Sequence, residues 1–158
     1  MNRDTRVVEF TLTDRGAVVD LMRELAARRH GWVNVQPLVE PDRMPAPTGG
    51  IVLGWITGGL PPLPIGTWIA PRVRRGQLRP GSVGLAHNAN AKVARRLVEA
   101  GLAAPEGWKM VQDNARRGLV CEVPADTDVA FVLDWVLRAM VELSPVDTGD
   151  EYRATVHS

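Results

Sequence analysis

The stretch Arg6 to Gln36, RVVEFTLTDRGAVVDLMRELAARRHGWVNVQ, decides the fold class. Its first residues alternate: Val8, Phe10 and Leu12 fall on one side, Val7, Glu9 and Thr11 on the other. A period of two predicts a strand with one buried face. The period then changes. Val18, Leu21, Met22 and Leu25 recur at helical spacing. Thr13 is the expected cap of that helix, with Asp14 where the helix dipole favours a negative charge. Arg28, Arg29 and His30 crowd the last turn, and Gly31 is the expected terminator. A second strand is predicted from Trp32 to Gln36, with Pro37 limiting further pairing.

The same order returns downstream. Ser82 to His87 reads as a strand with Val83 and Leu85 on one face. Asn88 or Asn90 is the expected cap of a helix carrying Val93, Leu97 and Ala100, closed by Gly101. Trp108 to Asp113 and Leu119 to Val123 read as strands joined by the hairpin turn Asn114 to Gly118. Asp126 or Asp128 should cap the last helix. There Val129, Val132, Leu133, Val136, Met140 and Leu143 make the clearest apolar stripe in the chain, and Pro145 stops it. Glu151 to His157 alternates and is expected as a short edge strand.

Between these units, Glu40 to Gly50 is rich in Pro and Gly and reads as a loop. Ile51 to Thr57 and Ile65 to Ala70 read as strands, separated by a turn or stiff connector from Gly58 to Pro64. Pro71 to Pro80 reads as a basic loop holding Arg72, Arg74, Arg75 and Arg79.

Together these elements predict one globular domain over residues 1–158. The expected class is α+β: a two-layer sandwich with a mixed sheet of about seven strands under three helices. Gly31-Trp32-Val33-Asn34-Val35-Gln36 and Gly107-Trp108-Lys109-Met110-Val111-Gln112 share four letters at an offset of 76 residues. That similarity suggests two related halves, 6–70 and 82–157.

The chain has 158 residues, 45% of them hydrophobic and 23% charged, which excludes a wholly disordered polymer. Nineteen basic residues stand against eighteen acidic ones. This balance offers no overall attraction to nucleic acid or to a membrane surface. No apolar window approaches the roughly 18 residues of a membrane-spanning helix. One cysteine, Cys121, cannot form an internal disulfide, and no apolar signal core follows Met1, so a cytoplasmic protein is expected. Five Trp against two Phe and one Tyr is a surplus, and Trp55, Trp68 and Trp135 are candidate interface anchors.

Most catalytic signatures are absent from the sequence. No phosphate-binding loop, dinucleotide turn or nucleophile elbow occurs. His30, His87, His157 and Cys121 lack the close spacing of a zinc set, so no metal and no cofactor are expected. Cys121 reads as a small buried residue in mid-strand.

One constellation is left. If the two strands of a strand–helix–strand unit run in parallel, their carboxyl ends meet at one edge of the sheet. That edge would gather His87 and Asp113 as a candidate base and its orienting carboxylate. Asn88, Asn90, Gln112 and Arg116 would be ligand-binding groups for a small anion. The same residues also serve as caps, turn formers and solvated side chains. No nucleophile accompanies them, so the balance is against an enzyme. The favoured reading is a binding or assembly module acting as a homodimer or with a protein partner. A small-ligand enzyme or sensor at His87 and Asp113 is the alternative. Nucleic-acid binding through Arg72 to Arg79 ranks third because of the near-neutral net charge.

Overall fold

The structure, a computed structural model, describes residues 4–45 and 61–158. The strand expected at Ile51 to Thr57 lies outside the described residues, as does the first part of the Gly58–Pro64 connector.

Among the described residues each predicted period becomes an element. In chain order these are β1 (Thr5–Thr11), α1 (Gly16–Arg28), β2 (Trp32–Pro37), β3 (Ile65–Ile69), β4 (Arg72–Arg74), β5 (Gln77–Arg79), β6 (Gly81–Ala86), α2 (Ala94–Glu99), β7 (Lys109–Asn114), β8 (Gly118–Val123), α3 (Val129–Leu143) and β9 (Glu151–His157). A 3-10 turn covers Pro41–Arg43. Seven strands form one sheet in the order β1-β9-β2-β3-β6-β8-β7, while β4 and β5 pair only with each other. The α+β two-layer sandwich is the observed class, with one adjustment. Every neighbouring pair among the described residues of the sheet is antiparallel, so the described sheet is not mixed.

The antiparallel order comes from two insertions. β1 and β2 point the same way, but β9 lies between them and pairs with both. β6 and β7 also point the same way, with β8 between. Each strand–helix–strand unit is therefore split by a strand from later in the chain. β9 is not an edge strand. Its Tyr152, Ala154 and Val156 are buried and it is hydrogen-bonded on both sides.

Among the described residues the helices cover one face only. One row across the sheet reads Val8, Ala154, Val35, Gly66, Leu85, Leu119 and Asp113. All but Asp113 are apolar or Gly, as a core-facing row requires. α3 contributes Val132, Leu133, Val136, Met140 and Leu143 to the core, and α1 contributes Val18, Val19, Met22 and Leu25. Burying each such side chain stabilises by about 1.5–3 kcal/mol. Gly66 lets α3 lie close on the sheet: a Cβ there would sit 2.5 Å from Val136 Cγ1 and 3.1 Å from Met140 Sδ. The neighbouring row mixes the polar Thr155, Asn34, Thr67 and Gln112 with Val7, Gly84 and Val120. No helix packs on that face among the described residues.

Helix ends differ from expectation. α1 starts at Gly16 with Arg15 as its cap residue, and the Thr11 hydroxyl rather than Thr13 accepts the Asp14 N–H at 3.1 Å. The helix closes on Arg29, which takes the left-handed φ of 57° two residues before Gly31. Asp128 caps α3 as predicted, accepting the Ala130 N–H at 3.1 Å.

Candidate functional site

The site begins with strand direction. β6 and β7 are both antiparallel to β8, so their carboxyl ends reach the same edge of the sheet although the strands are not neighbours. His87 follows β6, Asp113 lies near the end of β7, and the two are close enough for the Asp113 charge to act on the imidazole.

Asp113 has a structural partner at that edge. Its Oδ1 accepts the Val93 N–H at 2.9 Å and its Oδ2 the Ala94 N–H at 3.3 Å. These are free donors at the start of α2, so the cap comes from across the sheet. Neither Asn88 nor Asn90 caps the helix. Val93 is its cap residue, and Asn90 is an exposed loop residue with φ of 51°.

His87 is 1% exposed. Its Nδ1 accepts the Ala89 N–H at 3.3 Å. An accepting nitrogen carries no proton, so the neutral ring holds its proton on Nε2. Nε2 is buried and has no hydrogen-bond partner among the described residues. Burial pushes the His87 pKa below its ordinary 6.5, Arg96 adds to the shift, and Asp113 opposes it. The ring is a buried neutral group, held from the bulk solvent a proton shuttle needs.

Of the other predicted ligand groups, Gln112 holds the hairpin together, with the turn residue Asn114. Gln112 Nε2 donates to the carbonyls of Arg117 at 3.1 Å and Gly118 at 3.2 Å. Asn114 Oδ1 accepts the N–H groups of Arg116 and Arg117, both at 2.9 Å. Arg116 itself is exposed, and Asn88 is half-buried. Trp68 and Trp135 are 5% and 6% exposed. Trp135 packs edge-on against Trp108 at 5.2 Å and donates Nε1–H to the Ala103 carbonyl at 3.3 Å. Both indoles are core residues in this fold, which leaves little of either for a partner. Trp55 lies outside the described residues.

The two tryptophans of the similar hexapeptides part company. Trp108 packs under α3 against Trp135 and Phe131. Trp32 lies on the uncovered face, stacked on His157 at 4.7 Å and 17°. A bulge between Met110 and Gln112 shifts the second strand and leaves Val111 49% exposed, where Val35 in the first is 3% exposed.

Sequence reasoning missed the groups around Trp32. His157 meets the Thr5 hydroxyl at 3.3 Å and Asn34 Nδ2 at 3.4 Å, and the Thr67 hydroxyl donates to Asn34 Oδ1 at 2.9 Å. The signal was the polar half of each alternating strand, visible only once the strand order is known. Elsewhere, a groove of about 250 Å³ on the helical side is lined by Leu12, Arg15, Leu102, Leu137, Arg138 and Glu142. Its Arg15 is tied to Asp134 at 2.8 Å and to the Leu12 carbonyl at 2.6 Å. Among the described residues no group of three or more His, Cys, Asp or Glu could hold a metal ion, and no helix is long and apolar enough to cross a membrane. Comparison with protein families, with curated proteins and with solved structures finds no match to this chain.

Proposed function

We propose that this chain is a binding and assembly module that works as a homodimer, joined edge to edge through β1. The supporting observation is a contrast between the two edges of the sheet. Exposed edges invite pairing unless bulges, prolines or inward charges block them. β7 is blocked by its bulge at Met110/Gln112. β1 runs seven residues in unbroken register with β9, without bulge or proline. Its one carboxylate, Glu9, is already paired with Arg153 at 3.1 Å, and Val7 is 58% exposed.

A second β1 is the natural occupant, because antiparallel self-pairing about a twofold axis satisfies the free backbone groups of both edges. The engagement of Asp113 and the burial of His87 weigh against chemistry at the strand ends. A cytoplasmic setting belongs to the same proposal and rests on the single unpaired thiol.

Sedimentation across micromolar concentrations tests the reading. A dimer that Val7→Lys converts to monomer supports it, since Lys is a residue natural edges use against pairing. A wild-type monomer throughout that range would overturn it.

A further inference from the structure

The segment read from sequence as a basic loop is a β-ribbon. β4 and β5 pair with Arg72 opposite Arg79, Val73 opposite Leu78 and Arg74 opposite Gln77. All six residues are exposed, while the base is held by buried Pro71 and Gly81. Alternation puts Arg72, Arg74 and Arg79 on one face and Val73 and Leu78 on the other. Arg75 and Gly76 form the tip, with φ of 53° and 73°.

Two features of this ribbon are costly on their own. Like charges directly opposite each other destabilise a strand pair, and Arg72 faces Arg79. A left-handed turn position favours Gly or Asn, yet Arg75 occupies one. No carboxylate pairs with any of the four arginines among the described residues. The sequence explains why. Between Asp42 and Glu99 there are eight basic residues and no acidic one, leaving eleven basic against eighteen acidic in the rest. The net charge of +1 hides this separation. Basic residues of α2 do find acids, Arg95 with Glu99 at 3.2 Å and Arg96 with Glu142 at 3.4 Å. Those of the ribbon do not.

We propose that the β4–β5 ribbon is a docking arm for the phosphate backbone of double-stranded DNA, binding without regard to sequence. A guanidinium fork matches phosphate oxygens in pairs. A two-stranded ribbon is narrow enough to enter the major groove, about 12 Å wide. An anionic membrane fits less well. Seating Val73 and Leu78 in lipid would turn Arg72, Arg74 and Arg79 away from the headgroups. The inference does not depend on pairing through β1.

The test is fluorescence anisotropy with a labelled duplex of arbitrary sequence, at several salt concentrations. Wild-type binding should weaken with a log–log slope of about −3 to −4, for three or four phosphates. Replacing Arg72, Arg74, Arg75 and Arg79 together by Gln should abolish binding, and each single Arg→Gln change should reduce the slope by about one. Circular dichroism of the variants checks that the fold is kept. Val73→Gln with Leu78→Gln should leave affinity unchanged. Absence of wild-type binding at low salt, a quadruple variant that still binds, or a flat salt dependence would overturn the proposal. So would tighter binding to phosphatidylserine vesicles that is lost on changing Val73 and Leu78.

Discussion

The carboxylate of Asp113 closes the N-terminus of α2, with Oδ1 2.9 Å from the Val93 nitrogen. The cap joins α2 to the edge strand β7, which β8 separates from β6 in the sheet. It fixes α2 against the carboxyl ends of β6 and β7. It also gives a predicted site carboxylate a structural task that does not require a ligand.

Asp113→Ala should therefore lower stability by about 1–2 kcal/mol, the usual cost of losing a cap. Asp113→Asn keeps one acceptor oxygen and should lose less. Urea unfolding midpoints of the two variants measure the difference. Equal stability of wild type and Asp113→Ala would remove the capping role.

His87 should make stability depend on pH. Its folded pKa lies below the ordinary 6.5 because burial disfavours the charged ring. The unfolded chain therefore takes up the proton first. The contribution is fully present above 6.5 and is lost as pH falls through the folded value. Unfolding free energies measured from neutral to mildly acidic pH should fall over that window, and His87→Gln should flatten the fall. A profile identical in the variant would exclude His87 as its source.

Burial pushes the Cys121 thiol up to about 11, and the residue is fully enclosed under the helices. The reactive thiolate is thus scarce and shielded. A thiol reagent should label the native protein only at the rate of its opening. Prompt labelling without denaturant would contradict the burial.

The elements were legible where local periodicity sets them. The stripe of α3 and the alternation of β1 depend on neighbours in sequence, so Val132, Val136, Met140 and Phe10 fall in the core as read. Strand order was not legible. The insertion of β8 between β6 and β7, and of β9 between β1 and β2, is long-range pairing that no local pattern encodes. β9 shows the consequence: its alternation suits an edge strand as well as a central one.

The caps divide in the same way. Asp128 acts on a residue two positions away and was visible, whereas Asp113 acts on Val93 twenty positions away and was not. His87 and Asp113 do reach one end of the sheet, because the inserted strand leaves their directions unchanged. The ribbon was concealed by its tip, Arg75-Gly76, which lacks the Asn-Gly or Asp-Gly pair that marks such turns. Its charge was concealed by averaging over the whole chain.

Hydrogen exchange of the β1 amides, Thr5 to Thr11, followed from dilute to concentrated protein, tests the edge pairing most directly. Amides facing away from β9, apart from that of Thr11, which already donates to the Asp14 carbonyl, should become protected as concentration rises, and Val7→Lys should abolish that gain. Exchange of those amides at one unchanging rate, whatever the concentration, would contradict a dimer joined through β1.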